Sequence, residues 1–334
     1  MAKPLRFRID RSHWDEARVQ SAIFADLDKN IGATMTRPWY KLEGPYSSRR
    51  FDMANGDTAL FAWSDDVAYW LGNTETPSAL WRTDNIEFDS APADITDWAE
   101  REFLAELFDD EPWLADYPAL ARFFLPVLSA KDGRETNRRF FRDHAAGFPE
   151  TDRDDALAYY DSFLASGILD PYRHTMAGKL GTSDYFDSHR LAAAMSEFTV
   201  AKLLSDAGYT IEPEAAVTSG HDIDFRVTRG SAGTLVEVTR PSPPAHRAAN
   251  TPSRAIRETV ETKTADQLDV HGGGVTLLVD CSSFDDDGWK RLQTNHPDVG
   301  HRPAIVFRVR PGIDIEGYSI GGVPMDLAER VLDR

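Results

Sequence analysis

The chain has 334 residues, with 37 Lys and Arg against 55 Asp and Glu, and a formal net charge of −18. Hydrophobic residues make up 41% and aromatics 11%, which excludes a disordered acidic chain, since such chains are poor in both. A single Cys excludes a disulfide framework and any Cys-rich zinc module. No run of about 18 apolar residues offers a membrane span, and the opening MAKPLRFRID lacks the apolar core of a secretory signal. A cytoplasmic protein of roughly two domains is expected, at about 100–200 residues each; composition is silent on oligomeric state.

The charged residues are unevenly chosen, with 37 Asp against 18 Glu and 29 Arg against 8 Lys. This bias is similar to that of salt-in halophilic archaea, in which short hydrated carboxylates keep a protein soluble and long Lys stems are avoided. The acids are scattered along the chain, which favours a solvation role over one acidic surface made for a basic partner or mimicking nucleic acid. Net charge bears on solubility and association rather than on fold.

Residues 5–9 read as a strand and 13–28 as a helix with an apolar stripe of Trp14, Val19, Ile23 and Leu27. The stretch 31–57, rich in Gly, Pro, Ser and Arg, reads as loop. Thr58–Trp63 and Val67–Leu71 are β-like runs around Ser64-Asp65-Asp66, a hairpin pattern, and Leu80–Phe88 is a further candidate strand. From Ile95 the periodicity turns helical, over 95–109, 116–128, 134–145 and 154–166, with Asp94 and Thr151 offering N-cap chemistry. A basic cluster of Lys131, Arg134, Arg138, Arg139 and Arg142 is interleaved with Phe140 and Phe141, which fit the core face of an amphipathic helix. Gly167, Pro171 and Gly178–Thr182 punctuate a linker.

A different pattern begins near 185. A long helix over 187–207 stops at Gly208, followed by strands at Thr210–Val217, Asp222–Thr228 and Thr234–Thr239. A Pro-rich loop over 241–252 leads to a helix from Ser253, its predicted cap, to Asp269. Strand Val275–Cys281, a short helix near 286–294 and strand Ala304–Val309 complete the run. Such alternation predicts an α/β sheet with helices packed on it. The expected organisation is an α+β region over 1–92, a helical region over 93–180 and an α/β domain over 185–334.

Three acids break the pattern of their own elements. Glu197 sits among Ala193, Ala194, Val200 and Ala201, its neighbours at helical spacing. Asp224 alternates with Ile223, Phe225 and Val227, so it shares the opposite strand face with Asp222 and Arg226. Glu237 interrupts Leu235-Val236-Glu237-Val238, which otherwise reads as a buried central strand. A lone buried carboxylate is costly unless paired or bound to metal. If the two strands are neighbours, Asp224 and Glu237 converge, and Glu197 approaches from the preceding helix. Three carboxylates at one point make an oxygen site for a hard cation such as Mg²⁺ or Mn²⁺, with Asp222 as substitute ligand.

With those residues, about 187–310 resembles the PD-(D/E)xK nuclease superfamily. The resemblance rests on the α-β-β-β-α-β order, the helical Glu197, and Asp224 and Glu237 on the second and third strands. It implies a restriction-endonuclease-like fold, metal-dependent hydrolysis of DNA or RNA, and a lysine two residues beyond the glutamate. Here that position is Thr239. Some branches carry the lysine, or a glutamine, on the following helix. Lys263 and Gln267 stand there, beside the apolar stripe Ile256, Val260 and Leu268. The resemblance thus assigns Glu197, Asp224, Glu237 and Lys263 to catalysis. The whole chain is also similar to an uncharacterised haloarchaeal protein family, which supplies no activity.

From Val238 to Arg257 the chain carries Arg240, Arg247, Arg254 and Arg257, with His246 and no acid, a run suited to neutralising phosphates. Thr239 in the lysine position leaves a catalytically inactive binding or scaffold module as the alternative, and an acidic interaction protein as a second. The chain has no HExxH, Walker A, GxSxG or CxxC motif. Cys281, ending an apolar strand, reads as a small buried residue.

Overall fold

The structure, a computed structural model, describes residues 6–74, 92–216, 222–244, 251–264, 274–312 and 315–327. It is a mixed α/β protein with two sheets. It divides into one unit of Met1–Arg138 with Arg173–Tyr185, and a second of Arg139–Tyr172 with Phe186–Arg334. Among the described residues no helix is long and apolar enough to cross a membrane.

In the first unit, β1 (Arg6–Asp10) precedes a helical rod made of α1 (Glu16–Val19), a π-helical turn and α2 (Ala25–Ile31). Strands β2 (Thr34–Thr36), β3 (Ser47–Asp52), β4 (Thr58–Trp63) and β5 (Ala68–Gly72) follow. They form an antiparallel sheet in the order β1-β5-β4-β3-β2. The predicted stripe of Trp14, Val19, Ile23 and Leu27 packs with Phe51, Phe61 and Trp70. Two strands, β2 and β3, lie in the stretch expected to be loop. β3 carries Arg50, which is buried through ion pairs to Asp52 at 2.7 Å and Glu106 at 3.2 Å. A strand held by backbone pairing and buried charge has no apolar alternation to announce it.

The helices α3 (Ala93–Asp110), α4 (Pro118–Leu128), α5 (Arg134–Asp143) and α6 (Arg153–Leu164) fall close to the predicted ones. Phe140 and Phe141 are fully buried, as an amphipathic core face requires. The caps differ in detail. α3 starts after Pro92 with no side-chain cap and has Asp94 in its first turn, while Asp152 rather than Thr151 caps α6. The predicted linker holds a further short helix, α7 (Arg173–Gly178). The candidate strand Leu80–Phe88 lies outside the described residues.

Helix α6 belongs to the second unit. There Tyr160 of α6 pairs with Thr199 at 2.9 Å in a fully buried contact. Thr199 lies on α8 (Ser188–Asp206), which is capped by Asp187 and stopped by Gly208 at φ +82°. Then come β6 (Thr210–Ala215), β7 (Ile223–Arg229), β8 (Ala232–Thr239), α9 (Pro252–Lys263), β9 (Val275–Asp280), α10 (Asp286–Asn295), β10 (Ala304–Val309) and β11 (Ile315–Ile320). Thr251, not Ser253, caps α9.

The sheet order is β11-β10-β9-β8-β7-β6. β8, β9 and β10 run parallel, and the flanking pairs are antiparallel. β9 is buried along its whole length, as a central strand covered by helices must be. The helices α9 and α10 supply Ile256, Val260, Trp289 and Leu292 to the core over Leu277 and Val279. β11, mostly half-buried with Tyr318 inside, was not legible as a strand.

The turn that follows α5 is under backbone strain. Ala145 and Ala146 adopt φ +44° and +50°, Gly147 +89° and Glu150 +57°. Non-Gly residues in this region cost on the order of 1 kcal/mol each or more. A Cβ at Gly147 would stand 2.8 Å from the Ala192 Cβ on α8. Gly147→Ala therefore combines a disfavoured φ with overpacking, and should lower stability by about 2–3 kcal/mol in urea unfolding. A change below about 0.5 kcal/mol would contradict this packing.

Candidate metal centre

The second sheet lines up its acids by register. β6 pairs with β7 through Pro213–Phe225 and Ala215–Ile223, so Glu214 stands opposite Asp224. β7 pairs with β8 through Phe225–Val236, so one step further Asp224 stands opposite Glu237. Glu214, Asp224 and Glu237 thus form a row across three strands. α8 packs on β6 and β8 and brings Glu197 to the same place. One carboxylate oxygen each from Glu197, Glu214 and Asp224 lies within 4.8 Å of the others, and all three residues are half-buried.

The ladder changes character at this row. The Asp224 N–H donates to Glu237 Oε2 at 3.2 Å, and the Val238 N–H donates to Asp224 Oδ2 at 2.8 Å. Carboxylates there take backbone donors that strand pairing would otherwise use. Alternation explains why they point this way. Ile223, Phe225 and Val227 are buried while Asp224 and Arg226 between them are half-buried.

Glu237 is 1% exposed in the middle of the sheet. Such a carboxylate needs a cation and hydrogen bonds to offset its desolvation. Lys263, at the end of α9, places Nζ 2.5 Å from Glu237 Oε1. Burial pushes the Glu237 carboxyl above its usual range and Asp224 adds to the effect, with Lys263 opposing. Burial alone would depress the Lys263 ammonium. The carboxylates of Asp224, Glu237 and Glu197 outweigh that and hold it above its ordinary value. Lys263 is therefore a fixed cation at neutral pH.

The structure brings together Glu197, Asp224, Glu237 and Lys263, the four residues singled out in the sequence. Among the described residues the close acid group takes Glu214 where Glu237 was expected. Glu237 stands behind it as the partner of Lys263. Glu214 had one sequence signal, its place opposite Asp224 across a short hairpin. Glu212 shares its alternation phase on the Pro-containing edge strand, and it is exposed, so phase alone could not separate the two. Glu214 also takes φ +52°, a conformation uncommon for a glutamate. Asp222, the substitute ligand, is exposed just before β7 and outside the group. Thr239 is half-buried at the end of β8.

The basic run is dispersed. Arg240 is buried, and it pairs with fully buried Asp280 at 3.3 Å. It also donates to Ser283 Oγ at 2.7 Å and to the carbonyls of Ala192 and Gly147 at 3.2 and 2.5 Å. It is an internal strut rather than the phosphate contact its position in a basic run suggested. Linear charge density does not reveal burial. Arg254 is exposed and paired with Glu258 at 2.7 Å, and Arg257 donates to the Asp298 carbonyl at 2.9 Å. His246, Arg247 and Gln267 lie outside the described residues. Cys281 is fully buried, and desolvation raises its thiol well above the ordinary value.

Residues 2–327 match the model of a family of unknown function (DUF5784). The chain belongs to this family. No curated protein and no solved structure matches it. The matched residues span both units.

One outcome follows from the geometry. Arg240→Ala strands Asp280 in the core and should cost about 3–5 kcal/mol. A Tm within a degree of wild type would return Arg240 to the surface.

Proposed function

We propose that this chain is a divalent-metal-dependent phosphodiesterase acting on DNA or RNA, on a restriction-endonuclease-like form of the second unit's α/β fold. The observation that carries the reading is the convergence of Glu197, Glu214 and Asp224 beside the Glu237–Lys263 pair. Sequence-distant acids on a helix and two strands, gathered against their mutual repulsion, favour a shared cation. The element order α8-β6-β7-β8-α9-β9 supports the reading.

The donor set fits the cation. All three ligands are carboxylate oxygens, the hard donors that Mg²⁺ and Mn²⁺ take. One oxygen from each lies within 4.8 Å of the others, near enough that small side-chain rotations would let one cation take all three. Glu197, Glu214 and Asp224 would hold the ion. When bound, it would supply Lewis acidity toward a phosphoryl oxygen and a more acidic water.

The remaining residues have definite tasks. Lys263, held beside Glu237, would act as a hydrogen-bond donor and a positive charge toward a phosphoryl oxygen or the attacking water. Glu237 holds the Lys263 ammonium through Oε1 and fixes β7 through Oε2. Lys263 occupies from α9 the role that Thr239 cannot fill from β8.

The test is cleavage of a labelled oligonucleotide with Mg²⁺ or Mn²⁺ in high KCl. Glu197→Gln, Glu214→Gln and Asp224→Asn should each reduce cleavage by roughly 10²-fold or more. Mn²⁺ at 100 times its Kd should raise wild-type stability by about 2.7 kcal/mol, and each variant should lose most of that gain. Lys263→Met should lower kcat while keeping the Mn²⁺-dependent stabilisation. Equal background cleavage by wild type and all variants, with no Mn²⁺ effect on melting, would reduce the protein to a non-catalytic module.

A further inference from the structure

In the first unit, the loop that joins β2 to β3, residues 37–46, carries two adjacent exposed rings, Trp39 at 53% and Tyr40 at 41% exposure. Single exposed apolar side chains are ordinary, but neighbouring large ones form a patch and call for a partner. The loop is also long for a connection between antiparallel strands, which commonly takes about two to five residues.

The backbone beneath the rings is fixed. The Tyr40 N–H donates to Glu102 Oε1 at 2.5 Å, and the Tyr40 carbonyl accepts from Trp98 Nε1 at 3.0 Å. Both partners lie on α3 and are fully buried. The guanidinium of buried Arg50 lies 4.3 Å from the Trp39 ring centroid, and Asp52 and Glu106 hold it there. One side of the ring is therefore covered by the protein, and its exposure belongs to the rest. Leu42, two residues beyond Tyr40, is buried and anchors the loop again. Rings held in this way lose little freedom when a ligand packs on them, which favours binding.

The same segment departs from the acidic background. Residues 29–42 contain Lys29, Arg37 and Lys41 and no acid, in a chain of net charge −18. Arg37 and Lys41 are exposed, and neither is ion-paired or hydrogen-bonded to a described residue. In this they differ from Arg240, which is spent inside the fold. The nearby acids Glu43, Asp94, Asp97 and Glu100 line a hollow whose wall includes none of Arg37, Trp39, Tyr40 and Lys41.

Free cations on either side of exposed flat rings suit a polyanion that also offers flat apolar groups. A single nucleic-acid strand does so, because its bases are open to stacking on aromatic side chains while its phosphates track basic ones. A duplex keeps its bases within its own stack. We propose that Trp39 and Tyr40 form a stacking platform for the bases of single-stranded DNA or RNA, with Arg37 and Lys41 contacting its phosphates. Trp98, Glu102 and Arg50 are the positioning residues. The platform rests on the phosphodiesterase reading for its substrate class and narrows that class to strands with unpaired bases. Stacking needs no counterion release, so it persists in salt that screens the two cations.

The test is fluorescence anisotropy on the full chain in EDTA, where no metal-dependent cleavage occurs, at several KCl concentrations. The probe is a fluorescein-labelled 12-nucleotide single strand. Trp39→Ala/Tyr40→Ala keeps the Tyr40 N–H and carbonyl, so the ties to α3 stay and the variant should fold, as its Tm will show. It should bind at least tenfold more weakly, with the slope of log K against log salt unchanged. Trp39→Phe/Tyr40→Phe, which retains flat rings, should bind within about threefold of wild type. Arg37→Ala/Lys41→Ala should lower the slope by about 1.4, at 0.7 per phosphate contact. Tyr185→Ala, which removes an exposed ring on another segment, should bind as wild type. Annealing the probe to its complement should weaken binding at least tenfold. Unchanged affinity in the folded double-alanine variant, equal binding of the duplex, or no binding by wild type overturns the platform. So does sedimentation showing a wild-type dimer that Trp39→Ala/Tyr40→Ala dissociates, which would make the loop an interface between copies. Ring-dependent binding without Mg²⁺-dependent cleavage would keep the platform and sink the phosphodiesterase; cleavage with ring-independent binding would do the reverse.

Discussion

A carboxylate inside a central strand is the constraint on which the second unit depends. Glu237 occupies a position where its sheet neighbours are Val236, Val238 and Leu277, and it cannot be solvated there. Its oxygens are instead shared between the Lys263 ammonium and the Asp224 N–H. That arrangement ties three elements together at one point: α9 must end where its lysine reaches β8, and β7 must offer an amide rather than a ladder bond. An apolar residue at 237 would release all of these demands.

The acid row and the buried arginine share supports. α8 contributes Glu197 to one and the Ala192 carbonyl to the other, and is itself buried on nearly every side, so neither residue can move without the helix. β8 contributes Glu237, and Arg240 follows directly after it. The two arginine and lysine struts differ in kind. Lys263 faces a half-buried group of acids. Arg240 is sealed among carbonyls and Asp280, where a planar guanidinium with five donors is the one cation able to satisfy several fixed acceptors at once.

Much of the fold was readable because its apolar patterns are strong. The strands β6–β10 and the helices α3–α6 and α8–α10 announce themselves by period. The site residues were readable for the opposite reason: Glu197, Asp224 and Glu237 contradict the period of their own elements, and Lys263 is one of only 8 lysines. Where a residue neither follows nor breaks a pattern, the sequence is mute. Glu214 shares phase with exposed Glu212, β3 is polar because its arginine is buried by ion pairing, and β11 is too weakly apolar to stand out.

The sequence by itself determined the α/β character of the second unit and the elements that carry the acids. These follow from local periodicity and from the cost of burying charge, which act within single elements. Only the tertiary structure decided which acids meet, since register across β6, β7 and β8 selects Glu214 and moves Glu237 behind Lys263. It also decided that Arg240 is internal and that Trp39 and Tyr40 are exposed. Burial and convergence are properties of distances between elements, and no spacing along one chain encodes them.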